Sequence, residues 1–460
     1  MALRDGRPAI LRIPIPKTRD VLHMPSNANA AIPRSSHVPA RAWYALTVLT
    51  LGAVLSYTDR YIINVLVDGI KRDLHLDDVA ISLVQGAAFA IVYAFAAIAF
   101  GTLADRLNRR NILFGGTALW SAGMLGCGLA ENYGQLVFFR SLVGIGEASF
   151  FPASLSILAA VFPAERRGLA FGALLMGSAI GTGAAVSIGG GLLAFLPSHL
   201  DWPFLPGGSS WRGVLVILAA AGPVLMLLIL SVREPARVAT AAEGARLSTA
   251  TLLGLLRTGG VVLLALAMVS VADAAASAWA PTFFSRLLHF TPARIAAEVG
   301  TAAIVAGGAG YLAGGILSDY LDARGVRNAR DRVALGASGA ALIGLSFVML
   351  RGGAAVAAYA LFVFAIASVS VAGASAFLRR LSLGMQGFGT ALLAFTMVMS
   401  GLGSGPTIVA LVKQHMAGGE AATGLAILLV GGGGLLAAMV MFAWQLRRGA
   451  ADGVGRPVHG

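Results

Sequence analysis

Charged residues are scarce in this chain. Asp, Glu, Lys and Arg make up 12% of its 460 residues, whereas hydrophobic residues make up 57%. A soluble domain carries about twice that share of charge. Nearly uncharged runs of about 18 residues or more recur along the chain, the first near residues 43–66, and each is long enough to cross a hydrocarbon core of about 30 Å. The composition excludes a soluble protein and predicts an all-α membrane protein with twelve transmembrane helices.

Cysteine and clustered metal ligands are also lacking. Cys127 is the single cysteine, so one chain cannot form a disulfide or a cysteine metal site. The seven His residues are scattered without the spacing of metal ligands, and no nucleophile–base pair or phosphate-binding loop is present. We therefore expect no metal, no cofactor and no enzymatic activity.

Basic residues exceed acidic ones, and the formal net charge is +13. If the amino terminus is inside, the cytoplasmic segments hold 25 Lys and Arg residues, against 7 in the opposite loops. This bias predicts a bacterial-type cytoplasmic (inner) membrane protein with both termini in the cytoplasm. The chain has no DNA- or RNA-binding motif, so we expect membrane lipids, and not nucleic acid, to contact the basic clusters.

The hydrophobic runs divide the chain into five segments. We predict a disordered cytoplasmic tail at 1–42, a six-helix bundle at 43–232 and a cytoplasmic linker at 233–258, followed by a second six-helix bundle at 259–446 and a cytoplasmic tail at 447–460. The first segment has no apolar core that ends in a small-residue cleavage site, so we do not expect a signal peptide. We expect a monomer.

A charged turn joins the second and third hydrophobic runs. Residues 101–110 read GTLADRLNRR, and a shorter copy, GILSD, occupies residues 315–319, which lie 214 positions later. This pair resembles the signature loops of the major facilitator superfamily of secondary transporters. The resemblance implies two pseudo-symmetric six-helix bundles that arose by duplication.

In that family the signature loop latches the outward-open state. The resemblance implies the same gating role for this loop of the chain. Its residues are Gly101, Asp105, Arg106, Arg109, Arg110 and, in the second copy, Asp319. The alternative is a plain cytoplasmic turn, which would explain the arginines but neither the glycine nor the first aspartate.

Five charged residues lie within the predicted spans: Asp59, Arg60, Arg140, Glu147 and Asp273. A charge at mid-bilayer costs about 2.5–3.5 kcal/mol on insertion scales and marks a functional site by default. Helix direction and a rise of about 1.5 Å per residue place the first four in one ladder through the amino-terminal half. A buried carboxylate beside a guanidinium can exchange a proton when water enters from one side, so Asp59 and Glu147 are the predicted proton carriers. The alternative is a set of ion pairs that only lock the bundle.

Further motifs narrow the resemblance. Residues 56–61 (SYTDRY) and 140–148 (RSLVGIGEA) resemble the spinster-like branch of the superfamily, over nearly all of residues 45–235. That branch moves sphingolipids and lysophospholipids with protons, which implies coupling and substrate-binding roles for Asp59, Arg60 and Glu147. The resemblance fades in the second half, which leaves the substrate open.

These observations together favour a proton-coupled secondary active transporter that moves an amphipathic or organic anion, such as a lysophospholipid-like molecule, by alternating access. Arg60, Arg140 and Asp273 are the predicted substrate-binding residues. The partners are then a small-molecule or lipid-like substrate and protons. Two alternatives remain: a proton symporter that imports a small carboxylate or sugar acid, and a multidrug–proton antiporter.

Overall fold

The computed structural model describes residues 38–163, 166–234, 249–381 and 385–451. The predicted tails and linker fall mostly outside these ranges, and so does the side chain of Asp105. The description below concerns residues 40–460.

The amino-terminal bundle contains six helices. They are α1 (Ala40–Tyr61, continued by Ile63–Leu74), α2 (Asp78–Ser82, the π-helical turn Leu83–Ala87 and Ala88–Arg106), α3 (Arg109–Leu129), α4 (Tyr133–Ala148 and Phe150–Val161), α5 (Arg167–Phe195) and α6 (Ser210–Ala219 and Ala221–Ser231).

The carboxy-terminal bundle repeats this arrangement. Its helices are α7 (Thr249–Arg286), α8 (Pro292–Arg294, the π-helical turn Ile295–Gly300 and Thr301–Ala323), α9 (Ala329–Gly344, with a 3₁₀ end at Leu345–Met349), α10 (Gly352–Leu378), α11 (Gln386–Met397, the π-helical turn Val398–Leu402 and Gly403–Gln414) and α12 (Ala422–Ala451).

Eleven helices in the described residues are long and apolar enough to cross a membrane, and α1 packs beside them against α5. Short polar residues start several of these helices: Asp77, Asn108 and Asn132 each accept a hydrogen bond from the backbone N–H three residues later, in the first turn of α2, α3 and α4. The predicted all-α fold, with twelve transmembrane helices in two six-helix bundles, is confirmed.

Among the described residues, the tight backbone contacts between the two bundles lie towards one end, the end where α1 connects to α2. There a Cβ on Gly86 of α2 would lie 2.0 Å from the carbonyl oxygen of Leu402 on α11, and a Cβ on Gly183 of α5 would lie 2.6 Å from the backbone nitrogen of Ile304 on α8. Three turns earlier on the same face of α5, Gly172 has no described atom within 4 Å of that position. The bundles therefore diverge towards the opposite end, which carries the signature loop and is called the loop end below.

Candidate functional site

Arg140 of α4 lies between two irregularities in neighbouring helices. Regular α-helix in α1 is interrupted at Ile62, and α2 contains the π-helical turn Leu83–Ala87. The guanidinium donates to the carbonyl oxygens of Asp59 (3.2 Å), Arg60 and Val84 (3.3 Å), and the side chain is fully buried. Its contacts are thus with the backbone of both helices, next to the points where their regular pattern is interrupted.

Arg60 of α1 forms the buried ion pair of this region. Its Nη2 and Nε atoms lie 2.8 and 3.0 Å from Glu147 Oε2, and Ser56 Oγ donates to the same oxygen at 2.9 Å. The guanidinium also lies 4.4–4.8 Å from the ring centres of Tyr57, Phe89 and Tyr93. An aromatic cage and one carboxylate therefore hold this cation.

Two carboxylate oxygens in the cluster have no hydrogen-bond partner in the described part of the chain, namely Asp59 Oδ1 and Glu147 Oε1. Asp59 is 1% exposed and lies beside Trp120 and within electrostatic range of Glu147 and Arg140. A buried oxygen without a donor is costly, so each can take a proton or a new donor when the helices rearrange.

The four predicted residues of the ladder are thus brought together in the amino-terminal half. Arg140 contacts the backbone carbonyl of Asp59 and not its carboxylate, while Arg60 pairs with Glu147. The predicted fifth residue, Asp273, lies apart from them on α7, in a cavity between the two bundles. Neither arginine is among the described residues that line this cavity, and their substrate-binding roles stay predictions.

The cavity has a volume of about 120 Å³ and a wall of tyrosines. Tyr57 and Tyr61 contribute from α1, Tyr311 from α8 and Tyr359 from α10, and Ser277 Oγ donates to Asp273 Oδ1 at 3.0 Å. Tyr57 also covers the guanidinium of Arg60, so one side chain joins the cavity to the buried ion pair.

Sequence reasoning did not select Tyr57, Tyr61 and Tyr359 as site residues. The available signal was the spacing of Tyr57 and Tyr61, which is one helical turn and places both on one face of α1. An aromatic residue in a hydrophobic span usually packs in the core, so this spacing does not by itself indicate a binding site.

The described part of the signature loop binds its own bundle. Arg109 Nε lies 3.0 Å from Glu234 Oε1, and the backbone N–H of Arg110 donates to the other oxygen of Glu234. In the second copy, Asp319 pairs with Arg330 of the same bundle at 2.8 Å. Arg106 is exposed, and no described atom lies within 4 Å of a Cβ placed on Gly101. These contacts do not cross between the bundles.

At the end of the molecule opposite the loop end, charged residues connect the two bundles. Six charged residues form a connected set of ion pairs that we call the six-charge lock. The first bundle contributes Asp68, Lys71 and Asp78, and the second contributes Arg286, Lys413 and Glu420. Three of these ion pairs cross between the bundles: Arg286 Nη2 lies 2.5 Å from Asp68 Oδ1, Arg286 Nη1 lies 4.0 Å from Asp78 Oδ1, and Lys413 Nζ lies 2.7 Å from Asp78 Oδ2.

The family model of the Major Facilitator Superfamily matches residues 49–406. The chain belongs to this superfamily. It resembles the spinster-like branch in particular, as the motifs in α1 and α4 predicted, and the family and fold are those of transporters.

Two relatives illustrate this similarity. An MFS-type efflux pump of Mycolicibacterium smegmatis is 32% identical over 301 residues, which cover 63% of this chain and 66% of the pump. Protein spinster of Drosophila melanogaster is 28% identical over 311 residues, which cover 63% of this chain and 49% of that protein. The chain thus matches between about half and two thirds of the length of these superfamily members.

A solved superfamily structure has the same fold. It is a bacterial homologue of the human lysosomal transporter spinster in an inward-facing and unoccupied conformation, with a TM-score of 0.67 and 24% identity. The match covers 89% of this chain and 96% of the homologue.

Proposed function

We propose that this protein is a proton-coupled secondary transporter that moves an amphipathic small molecule by alternating access. The buried pair of Arg60 and Glu147, with Asp59 beside it, is the observation that carries the proposal. A charge at this depth in a membrane is expensive and normally marks a functional site, such as a proton relay. The protein then resides in an inner membrane of bacterial type, with both termini in the cytoplasm.

Coupling depends on what the guanidinium of Arg60 contacts, either the carboxylate of Glu147 or the wall of the cavity. Protonation of Glu147 removes the charge that holds Arg60, and Ser56 then has a neutral acceptor. The freed guanidinium shifts against Tyr57, which forms part of the cavity wall. Binding in the cavity and proton uptake at the cluster thereby both act on the position of the same helix, α1.

The release of Arg60 also supports the second candidate function, transport of an organic anion. A guanidinium without its carboxylate partner is suited to a carboxylate or phosphate. The anion would have to reach Arg60 past Tyr57, because Arg60 is 4% exposed in the present conformation.

Proteoliposomes test the proposal with labelled lysophosphatidylcholine and labelled glucuronate as probes. The native protein should exchange lysophosphatidylcholine and should accumulate it when a pH gradient is imposed. Glu147→Gln should keep exchange and lose accumulation, because the amide keeps the shape of the carboxyl group but carries no proton. Glu131→Gln, which neutralises an exposed carboxylate between α3 and α4, is the matched control.

Normal pH-driven accumulation by both Glu147→Gln and Asp59→Asn would contradict the proton-carrier role. Exchange of glucuronate and not of lysophosphatidylcholine would replace the amphipathic substrate with a sugar acid. If neither probe crosses the membrane with the native protein, the transport proposal in this form is wrong.

A further inference from the structure

We propose that the cavity between the bundles binds the cationic head of an amphipathic substrate, with Asp273 as its counter-charge and the tyrosine rings as its walls. The inference rests on the proposed transport function and adds the chemical class of the substrate.

The charge of the cavity wall favours a cation. Among the described residues that line the cavity, Asp273 is the only one with a formal charge. Its Oδ1 atom accepts a hydrogen bond from Ser277, and it makes no ion pair within the described ranges. The two intramembrane arginines that could have balanced it are held by Glu147 and by backbone carbonyls.

The aromatic residues of the cavity wall also favour a cation. Tyr57, Tyr61, Tyr311 and Tyr359 surround the cavity, and the hydroxyl groups of the last three lie within electrostatic range of Asp273. The face of an aromatic ring carries negative potential and attracts an ammonium group. Asp273 would repel an anionic head at the same place.

The remainder of the wall combines an apolar part, suited to an alkyl chain, with the polar side chains of Asn64, Thr182 and Ser370. Val186 of α5 and Val363 and Ile366 of α10 line the cavity together with several alanines and glycines. One charged group beside a mostly apolar surface is the pattern expected for an amphipathic ligand. The bundles diverge towards the loop end, which leaves space for a tail beyond the cavity.

Three probes with equal chain length separate the head groups: octyltrimethylammonium, octanol and octanoate. Binding to the full-length protein in nanodiscs is measured by calorimetry without a pH gradient. We expect octyltrimethylammonium to bind most tightly. Asp273→Asn removes the counter-charge of the quaternary ammonium, so it should weaken that affinity by at least about 10-fold and leave octanol unchanged, whereas Asp273→Glu, which keeps the charge, should restore most of the affinity.

Asp201→Asn is the matched control, because Asp201 has a side chain that is 98% exposed and should not affect binding of any probe. Equal or tighter binding of octanoate by the native protein would overturn the inference, even if the Asp273 variants do not fold. An unchanged octyltrimethylammonium affinity in folded Asp273→Asn would also overturn it. Either result leaves the proposed transport function intact if lysophosphatidylcholine is still accumulated with the pH gradient.

Discussion

Two buried arginines in one bundle differ in what their guanidinium groups bind. Arg60 contacts a carboxylate and three aromatic rings, whereas Arg140 contacts three carbonyl oxygens on two helices. The carbonyls do not titrate, so in the proposed mechanism the contacts of Arg140 persist when Glu147 takes a proton. The proposal therefore makes Arg60 the mobile cation of the cluster, with Arg140 holding the shape of α1 and α2 around it.

A conservative substitution should separate these roles. Arg140→Lys replaces a planar fork by an ammonium that cannot reach all three carbonyls together, and we expect the free energy of unfolding to fall by about 2–4 kcal/mol. Arg60→Lys keeps one ionic contact with Glu147 and should lose less. Chemical denaturation in mixed micelles measures both. An equal loss in the two variants would show that Arg140 has no special structural role.

The sequence identifies the five charges within the predicted spans, because each interrupts a hydrophobic run. It does not identify the partners of Arg140. Those partners depend on the interruption at Ile62 and on the π-helical turn at Leu83–Ala87, and neither has a local signal as strong as proline. Depth along a helix is readable from the number of residues, whereas the direction of a long side chain is set by the helices that pack around it.

Among the elements, α1 shows why the six-charge lock was missed. The hydrophobic run predicted a span near 43–66, yet helix continues to Leu74 in the segment Ile63–Leu74. This extension carries Asp68 and Lys71, which sequence analysis assigned to a loop between spans. Charge ends a hydrophobic run without ending a helix, so span prediction shortened this element.

Neutralising one member of the lock should shift the balance between conformations. Arg286→Met leaves Asp68 and Glu420 without their shared cation and should favour separation of the bundles at this end. Spin labels in a Cys127→Ala background measure the change: the distance between positions 72 and 414 should lengthen, and the distance between positions 106 and 320 should shorten.

Arg294→Met is the matched control for that substitution, since Arg294 pairs with Glu298 in its own helix and the pair does not cross between the bundles. It should leave both distances unchanged. Equal shifts in the two variants would mean that the lock does not hold the bundles together.

Two glycines in α2 should have opposite effects on the same equilibrium. Gly86→Val would collide with the Leu402 carbonyl and disfavour the present conformation. Gly101→Val meets no described atom here, and it should disfavour only the other conformation, in which the predicted latch brings the loop end together. The same spin-label distances report both effects. Gly115→Val, also without a described neighbour within 4 Å, controls for helix propensity; matching shifts in all three variants would contradict the prediction.

For the whole molecule, the distribution of basic residues predicts the orientation in the membrane. In intact cells with Cys127→Ala as background, an impermeant maleimide should label a cysteine at position 201 and should not label one at position 106. Permeabilised cells, in which both positions should react, provide the control. Labelling at position 106 in intact cells would reverse the assignment and place the signature loop outside.

The overall architecture was the most predictable property, because hydrophobic runs, the 214-residue repeat and charge asymmetry each report on the whole chain. The conformational state was not predictable. Closure at the lock and separation at the loop end depend on small differences between two packings of the same helices. Gly86 has a close neighbour in the other bundle, whereas Gly172 has no described atom within 4 Å of a Cβ placed on it.

The composition of the six-charge lock has a consequence for bioenergetics. Lys71, Arg286 and Lys413 balance Asp68, Asp78 and Glu420, so the set carries no formal net charge. A membrane potential of 100 mV acts on each elementary charge that crosses the membrane with about 2.3 kcal/mol, but the first bundle's share of the lock carries −1 and the second's carries +1, so equal displacements of the two along the membrane normal cancel. Opening of this end should then be insensitive to voltage. Depolarisation would change the driving force on a charged substrate without changing how often the lock opens.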